Sequence, residues 1–294
     1  VNPAPVRIGV DDRGSFFYVA RVRSEAGRPQ IEALARFERS LVRSHPMLEG
    51  GALVFAVADD LVTKSELMIA GRGRFEPEAL TWFEIAQSLL DDESEFSFDA
   101  LPLETDGDRF LGMTVRRSRL SELVRPFTAS LGSGLADARF ALRAEALGRG
   151  YLSFARSGPG EFIGLVDFTD RRLSLCFLYR KKILGVAHLN TQPFDLTSPS
   201  DFERLTIELK TIVNFKLAAL SQQNISVPLS AMVLSGRRLE DQALCKLKKY
   251  FPVPIDEVSI SSGFFPKPDR LVEIPAGEYL VALGLTTLEG ERFC

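Results

Sequence analysis

Residues 6–22 read VRIGVDDRGSFFYVARV: an apolar run from Val6 to Val10 is cut by Asp11-Asp12-Arg13-Gly14-Ser15 and resumes from Phe16 to Val22. β-Branched and aromatic residues on both sides of an acid- and glycine-bearing turn predict a β-hairpin. After Gly27-Arg28-Pro29, the stretch from Gln30 to Glu38 alternates Ile31, Ala33, Ala35 and Phe37 on one face with Glu32, Arg36 and Glu38 largely on the other, which predicts a third strand. The arrangement returns in the second half of the chain. Phe162 to Phe168, Leu173 to Tyr179 and Ile183 to Leu189 read as three strands joined by tight polar turns, and the first turn again follows an acid, Asp167. Two halves of like order predict two related α/β lobes, and 294 residues, about twice a common domain of roughly 150, accommodate them.

Working outward, Ala52 to Ala58 and Val62 to Ala70 flank Asp59-Asp60 and are expected to form a second hairpin. Glu76-Pro77-Glu78 opens a helix, with proline early and acids at the positive end of the dipole, and Leu80, Phe83, Ala86 and Leu90 mark its apolar face. Two strands, Phe96 to Leu103 and Phe110 to Val115, follow across Thr105-Asp106-Gly107-Asp108, and Ser118 to Ser130 is helical with Leu120, Leu123, Val124 and Phe127 on one stripe. A short strand and helix occupy Leu135 to Leu147. Gly148, Gly150 and Ser157-Gly158-Pro159-Gly160 then punctuate the chain, so lobe one is expected over 1–150, with a subdomain inserted at about 39–120, and lobe two over 151–294. In lobe two, Ser200-Asp201-Phe202-Glu203 reads as a capping box ahead of a long helix carrying Phe202, Leu205, Leu209, Ile212 and Ala219. Ala231 to Leu234 reads as a strand and Leu239 to Tyr250 as a helix whose Lys246, Lys248 and Lys249 form a solvated face. Tyr279 to Leu285 is a closing apolar helix that ends near Gly284.

Composition narrows the function classes. Thirty-six Lys and Arg against 39 Asp and Glu leave a net charge of −3, which offers no general attraction to nucleic acid or an acidic membrane. The longest apolar runs fall far short of the roughly 18 residues of a spanning helix, and no signal peptide is visible at Val1. Cys176, Cys245 and Cys294 are odd in number and widely spaced, so no disulfide framework is expected and a reducing, cytosolic setting fits. With only His45 and His188 present, a multi-histidine metal centre is excluded, and no nucleophile motif accompanies either one.

Two lobes that each open with three strands and a tight turn after an Asp resemble the actin-like ATPase (ribonuclease H-like) fold, an α/β architecture with a subdomain inserted in the first lobe. The order of elements over nearly the full length is similar to the PilM family of type IV pilus assembly proteins, and also to the cytoplasmic domain of type II secretion L proteins. Val54-Phe55-Ala56-Val57, Phe98-Asp99 and the closing Tyr279-Leu280-Val281-Ala282-Leu283-Gly284-Leu285 carry the resemblance. It implies a nucleotide cleft built from two phosphate hairpins and an adenosine turn. The first hairpin, Asp-x-Gly-Ser-Ser-Ser-x-Lys in the family, matches Asp11-Asp12-Arg13-Gly14-Ser15-Phe16-Phe17-Tyr18 here, where Asp11 stays, Arg13 replaces a glycine and Tyr18 replaces the lysine. The second, Asp-x-Gly-x-x-x-Thr, matches Asp167-Phe168-Thr169-Asp170-Arg171-Arg172-Leu173, again with the acid kept and the glycine lost. The adenosine turn matches Leu234-Ser235-Gly236-Arg237-Arg238, where one glycine survives ahead of two arginines. Side chains at those positions occupy space that phosphate or purine needs.

The resemblance therefore implies a lapsed cleft formed by Asp11, Arg13, Ser15, Asp167, Thr169, Gly236 and Arg237, with no catalytic residue and no resident cofactor expected. Two readings of its charges stay open. Arg13, Arg171, Arg172, Arg237 and Arg238 bind phosphates of ATP, with magnesium on Asp11, or they pair with Asp11, Asp12, Asp167 and Asp170 and lock the lobes together. The family's function implies a scaffold at the cytoplasmic face of the inner membrane, tethered by the cytoplasmic N-terminal peptide of a membrane partner of the PilN type. The alternatives are an ATP-binding or weakly hydrolysing switch and the cytoplasmic domain of an L-like secretion protein.

Overall fold

The computed structural model describes residues 5–25, 27–68, 77–87, 89, 92–103, 109–131, 137–155, 161–169, 172–190, 195, 197–222, 228–265 and 276–288. The opening hairpin forms from β1 (Val6–Asp12) and β2 (Phe16–Glu25), and β3 (Arg28–Glu38) pairs antiparallel with β2. On the other side of β1, β4 (Ala52–Val57) runs parallel to it and adjoins β8 (Arg139–Leu142), giving the order β3-β2-β1-β4-β8. Leu53 to Val57 are all buried, as expected of an inner parallel strand covered on both faces.

That placement overturns the second hairpin. Asp59–Leu61 is a 3-10 turn, after which β5 (Thr63–Met68) leaves for a separate sheet. There it joins β6 (Phe96–Pro102) and β7 (Arg109–Arg116) in the antiparallel order β5-β7-β6. The uniformly buried β4 needs cover on both sides, whereas Thr63, Glu66 and Met68 of β5 are exposed, so the two strands belong to different layers. Over this small sheet lies α1 (Pro77–Ala86), which buries Thr81 and Ile85 and leaves Phe83 62% exposed, contrary to the expected apolar face. A Cβ at Gly112 of β7 would lie 2.2 Å from Ile85 Cδ1, so the gap left by that glycine turns the helix toward Ile85.

In β3 the simple alternation also fails. Val22 pairs with Ile31 but Arg21 pairs with Ala33, so Glu32 is an extra, bulged residue. A one-residue bulge moves the succeeding side chains to the other face. Ile31 accordingly packs with Val22, Ala20 and Tyr18, while Phe37 packs with Phe17 and Val19 on the opposite side. The helix expected over Ser118 to Ser130 is interrupted: α2 (Arg117–Val124) and α3 (Thr128–Leu131) flank a 3-10 turn, Arg125–Phe127. Pro126 has no amide N–H to donate to the preceding turn, so the α ladder cannot run through it.

Gly148 and Gly150 do not break the chain but lie inside α4 (Arg143–Phe154). Their role is close approach. The closing helix α7 (Leu280–Leu285) returns to pack on α4 and β1, and a Cβ on Gly150 would sit 2.2 Å from the Leu280 carbonyl oxygen. The helix ends at Leu285, beside Gly284 as expected, and a Cβ on Gly284 would sit 1.7 Å from the Ala146 carbonyl oxygen.

The second lobe repeats the topology of the first. Its strands β9 (Phe162–Phe168), β10 (Arg172–Tyr179), β11 (Lys182–Asn190), β12 (Ala231–Gly236) and β13 (Ile255–Glu257) stand in the order β11-β10-β9-β12-β13, with β12 parallel to β9 and β13 parallel to β12. The helix α5 (Pro199–Gln222) buries Phe202, Leu205, Leu209, Val213 and Leu220 beside Phe168 and Leu234, and α6 (Asp241–Tyr250) adds Leu247. The cap of α5 is Ser198 rather than Ser200: Ser198 Oγ accepts the Asp201 N–H at 3.5 Å, with Pro199 at the first helical position. Thr105-Asp106-Gly107-Asp108, Ser157-Gly158-Pro159-Gly160, Asp170-Arg171, Glu76 and Leu90 lie outside the described residues.

Candidate functional site

The repeated topology sets two acids face to face. Asp11 stands near the end of β1 and Asp167 near the end of β9, the equivalent central strands of the two lobes, and both side chains have no exposed surface. A carboxylate so placed needs partners, because burial strongly disfavours an uncompensated charge. Two guanidinium groups supply them. Arg143, the first residue of α4, follows β8 directly; it donates from Nη1 to Asp11 Oδ1, from Nη2 to Asp11 Oδ2 at 3.0 Å and from Nη2 to Asp167 Oδ2 at 2.7 Å. Arg13, in the β1–β2 turn, donates from Nε to Asp11 Oδ2 at 2.9 Å, from Nη2 to Asp167 Oδ1 at 3.3 Å and to the Glu278 carbonyl at 2.7 Å. Its guanidinium also lies 4.7 Å from the centre of the Tyr18 ring, so Arg13 and Tyr18, which stand at the glycine and lysine positions of the compared motif, belong to one assembly.

The assembly is balanced, two positive against two negative, and the exposures of 2% for Arg143 and 8% for Arg13 place it in a dry interior. Burial pushes the Asp167 carboxyl up, but the Arg13 and Arg143 charges outweigh it and hold the group below its ordinary value. Burial likewise works against the Arg143 cation, and Asp11 and Asp167 more than compensate, so its pKa rises. Asp12 behaves differently. Its carboxyl is raised by burial despite the Gly14 N–H at 2.8 Å and Arg39 at 2.9 Å.

The other expected site residues surround this core without joining it. Ser15 is exposed, and its carbonyl accepts the Arg39 N–H. Thr169 closes the β9–β10 turn, its Oγ1 meeting the Arg172 N–H at 3.1 Å and its N–H reaching the Arg172 carbonyl at 3.0 Å. Gly236 has φ +82°, and a Cβ there would meet the Phe168 carbonyl at 2.2 Å and Asp167 Oδ1 at 2.7 Å, so this glycine is required for β12 to pass the acid. Arg237 donates its backbone N–H to Phe168 O at 2.8 Å, and Arg237 and Arg238 are exposed and line two cavities with Leu239, one of them bounded also by Ser235 and Gly236. Arg172 turns to Asp60 at 2.6 Å.

That last pair belongs to an outer seam. Asp59, fully buried, accepts Ser174 Oγ at 2.6 Å; Lys64 Nζ lies 3.3 Å from His188 Nδ1; and Lys216 of α5 crosses over Gly185 to Glu66 of β5. Burial and the neighbouring Lys64 charge lower the His188 pKa. His45, by contrast, stacks on Phe37 and caps a turn through the Met47 N–H.

Arg143 was absent from the residues expected here. One signal does mark it: a lone arginine between Phe140-Ala141-Leu142 and Ala144, opening a helix, where the dipole disfavours a cation. Here the buried acids Asp11 and Asp167 compensate that placement.

The fold family implies Mg-nucleotide in this cleft, with a cation held by acids such as Asp11. The residues present do not fit it. A guanidinium within hydrogen-bond distance of both Asp11 and Asp167 occupies the space between them, and Arg13 stands where a phosphate would need a bare backbone. Among the described residues, no cluster of three or more metal-ligating side chains is present.

The two repeated sheets, the inserted subdomain and the facing acids define a protein with the actin-like ATPase fold. Among solved structures the chain is similar to the PilM-PilN type IV pilus biogenesis complex, with a TM-score of 0.68 at 16% identity, covering 97% of this chain and 98% of that one. It is also similar to a Bacteroides thetaiotaomicron protein of actin-like ATPase fold and unknown function, with a TM-score of 0.54 at 12% identity over 97% of both chains. The cytoplasmic domain of EpsL, an inner membrane component of the Vibrio cholerae type II secretion system, matches with a TM-score of 0.46 at 9% identity over 83% of this chain and 94% of that one. No protein-family model and no curated protein matches the sequence.

Proposed function

We propose that this chain is a non-catalytic actin-like scaffold of a pilus or related secretion machine, with its lobes meeting along α4 near residue 150. On this reading it works at the cytoplasmic face of the inner membrane and binds the short cytoplasmic N-terminal peptide of a PilN-type membrane partner. The observation that carries the non-catalytic part is the Arg143 bridge, which fills the space between the acids that a Mg-nucleotide complex would need. The pilus part is supported by the full-length likeness to the chain in a PilM-PilN complex. Among the described residues no helix is long and apolar enough to cross a membrane.

The experiment is titration of the purified chain into a labelled peptide carrying the cytoplasmic N-terminal residues of a PilN-type membrane protein. Saturable binding at tens of micromolar or tighter, about −6 to −7 kcal/mol, is expected. Absence of binding at that concentration removes the pilus assignment.

A further inference from the structure

We propose that Arg143 is a resident cation: its guanidinium performs the charge and bridging role of a bound metal between Asp11 and Asp167 and, with Arg13, keeps the two lobes closed without nucleotide. This rests on the scaffold reading and extends it. In this chain lobe closure is a property of the fold, and the partner-binding conformation is present at all times.

Three observations lead there. Each arginine touches one acid from each lobe, so neither can keep its bonds if the lobes separate: Arg143 joins Asp11 to Asp167 and Arg13 joins the same pair from the turn. The forked guanidinium suits the task, because it can satisfy two carboxylates at once in a fixed plane, which a lysine ammonium cannot do. The site is also already neutral. A divalent cation entering it would meet two positive charges in a buried setting where such interactions are poorly screened. Without Arg143, two carboxylates would remain against one arginine, with room for a small cation.

The test is chemical rescue of Arg143→Ala in the full chain, followed by thermal melting. The wild type is expected to melt at one temperature with or without millimolar magnesium, Mg-ATP or guanidinium chloride. The variant is expected to melt lower by roughly 10 °C, because a buried partner has been removed. Millimolar guanidinium or magnesium should recover part of that loss, since a ligand in excess of its dissociation constant stabilises the state it binds. Arg143→Lys should fall between the two and respond less to guanidinium. Wild-type stabilisation by Mg-ATP overturns the proposal, and so does an Arg143→Ala variant that melts like the wild type or that neither cation rescues. If Arg143→Ala does not fold, Arg143→Lys carries the test: unchanged melting and an unchanged radius of gyration in X-ray scattering overturn it. Peptide titration of the same samples separates the two ideas. Rescue without peptide binding in the wild type removes the pilus reading and leaves the resident cation; peptide binding with no loss in either variant does the reverse.

Discussion

Asp167 is a carboxylate with no solvent and two guanidinium partners, and its protonation is therefore tied to stability. The group is held below its unfolded value of about 3.9 in spite of burial, so the stability it contributes is present above pH 4 and is lost as pH falls through the depressed folded value. Urea unfolding followed from pH 5 to about 2.5 should show the wild type losing stability toward the acid end. Asp167→Asn should start lower, by about 3–5 kcal/mol, because Arg13 and Arg143 then face one carboxylate. It should then lose less over the same range. A variant that tracks the wild-type slope would show that other acids govern the acid transition. At this scale Asp11, Arg13 and Asp167 were legible in the sequence, since each stands at a loop whose small residues are replaced. Arg143 was not, because its partner Asp11 is 132 positions away and no local pattern joins them.

Among the elements, the α4–α7 contact depends on glycines at which backbone meets backbone. Gly150→Ala places a Cβ 2.2 Å from the Leu280 carbonyl, an overlap that no rotamer relieves. The helix-propensity gain of about 1 kcal/mol is then outweighed by an overpacking cost of about 1–3 kcal/mol or more. Gly263→Ala, where the nearest atom is Ser261 Oγ at 3.9 Å, is the control. Urea midpoints should drop clearly for the first and stay nearly fixed for the second; equal shifts would dismiss the contact as the cause. The same glycines explain a misreading. In sequence Gly150 looks like punctuation, because the Leu280 carbonyl that makes glycine necessary there belongs to a helix more than a hundred positions later, while Gly148 makes room for Cys176 Sγ. The three opening strands of each lobe and the long α5 were legible because their apolar periods are local. The partner of β4 was not, since pairing is decided by burial on both faces and not by the turn at its end.

For the molecule as a whole, the repeat of strands announces two lobes, but what joins them lies in contacts between distant residues, such as Glu66 with Lys216 at a separation of 150. Those contacts fall into an inner seam without solvent and an outer seam at its margin, and their chemistry predicts unequal roles. Arg172 and Asp60 are 22% and 43% exposed, so water already solvates the pair and Arg172→Ala should cost less than about 1 kcal/mol. Lys216 is mostly buried, while Glu66 is partly exposed and keeps Arg109 at 2.8 Å, so Lys216→Met trades one ion pair for apolar packing over Gly185. Its cost should be about 1–2 kcal/mol, between exposed and buried pairs. Hydrogen exchange distinguishes the seams better than melting does. Lys216→Met should speed exchange in β5, where the inserted sheet touches lobe two, and leave β1 and β9 protected, because local opening follows the weakest contacts. Arg143→Lys should instead speed exchange at the ends of β1 and β9 together. If Lys216→Met exposes both central strands as strongly, the outer seam and not the arginine bridge is what holds the lobes closed.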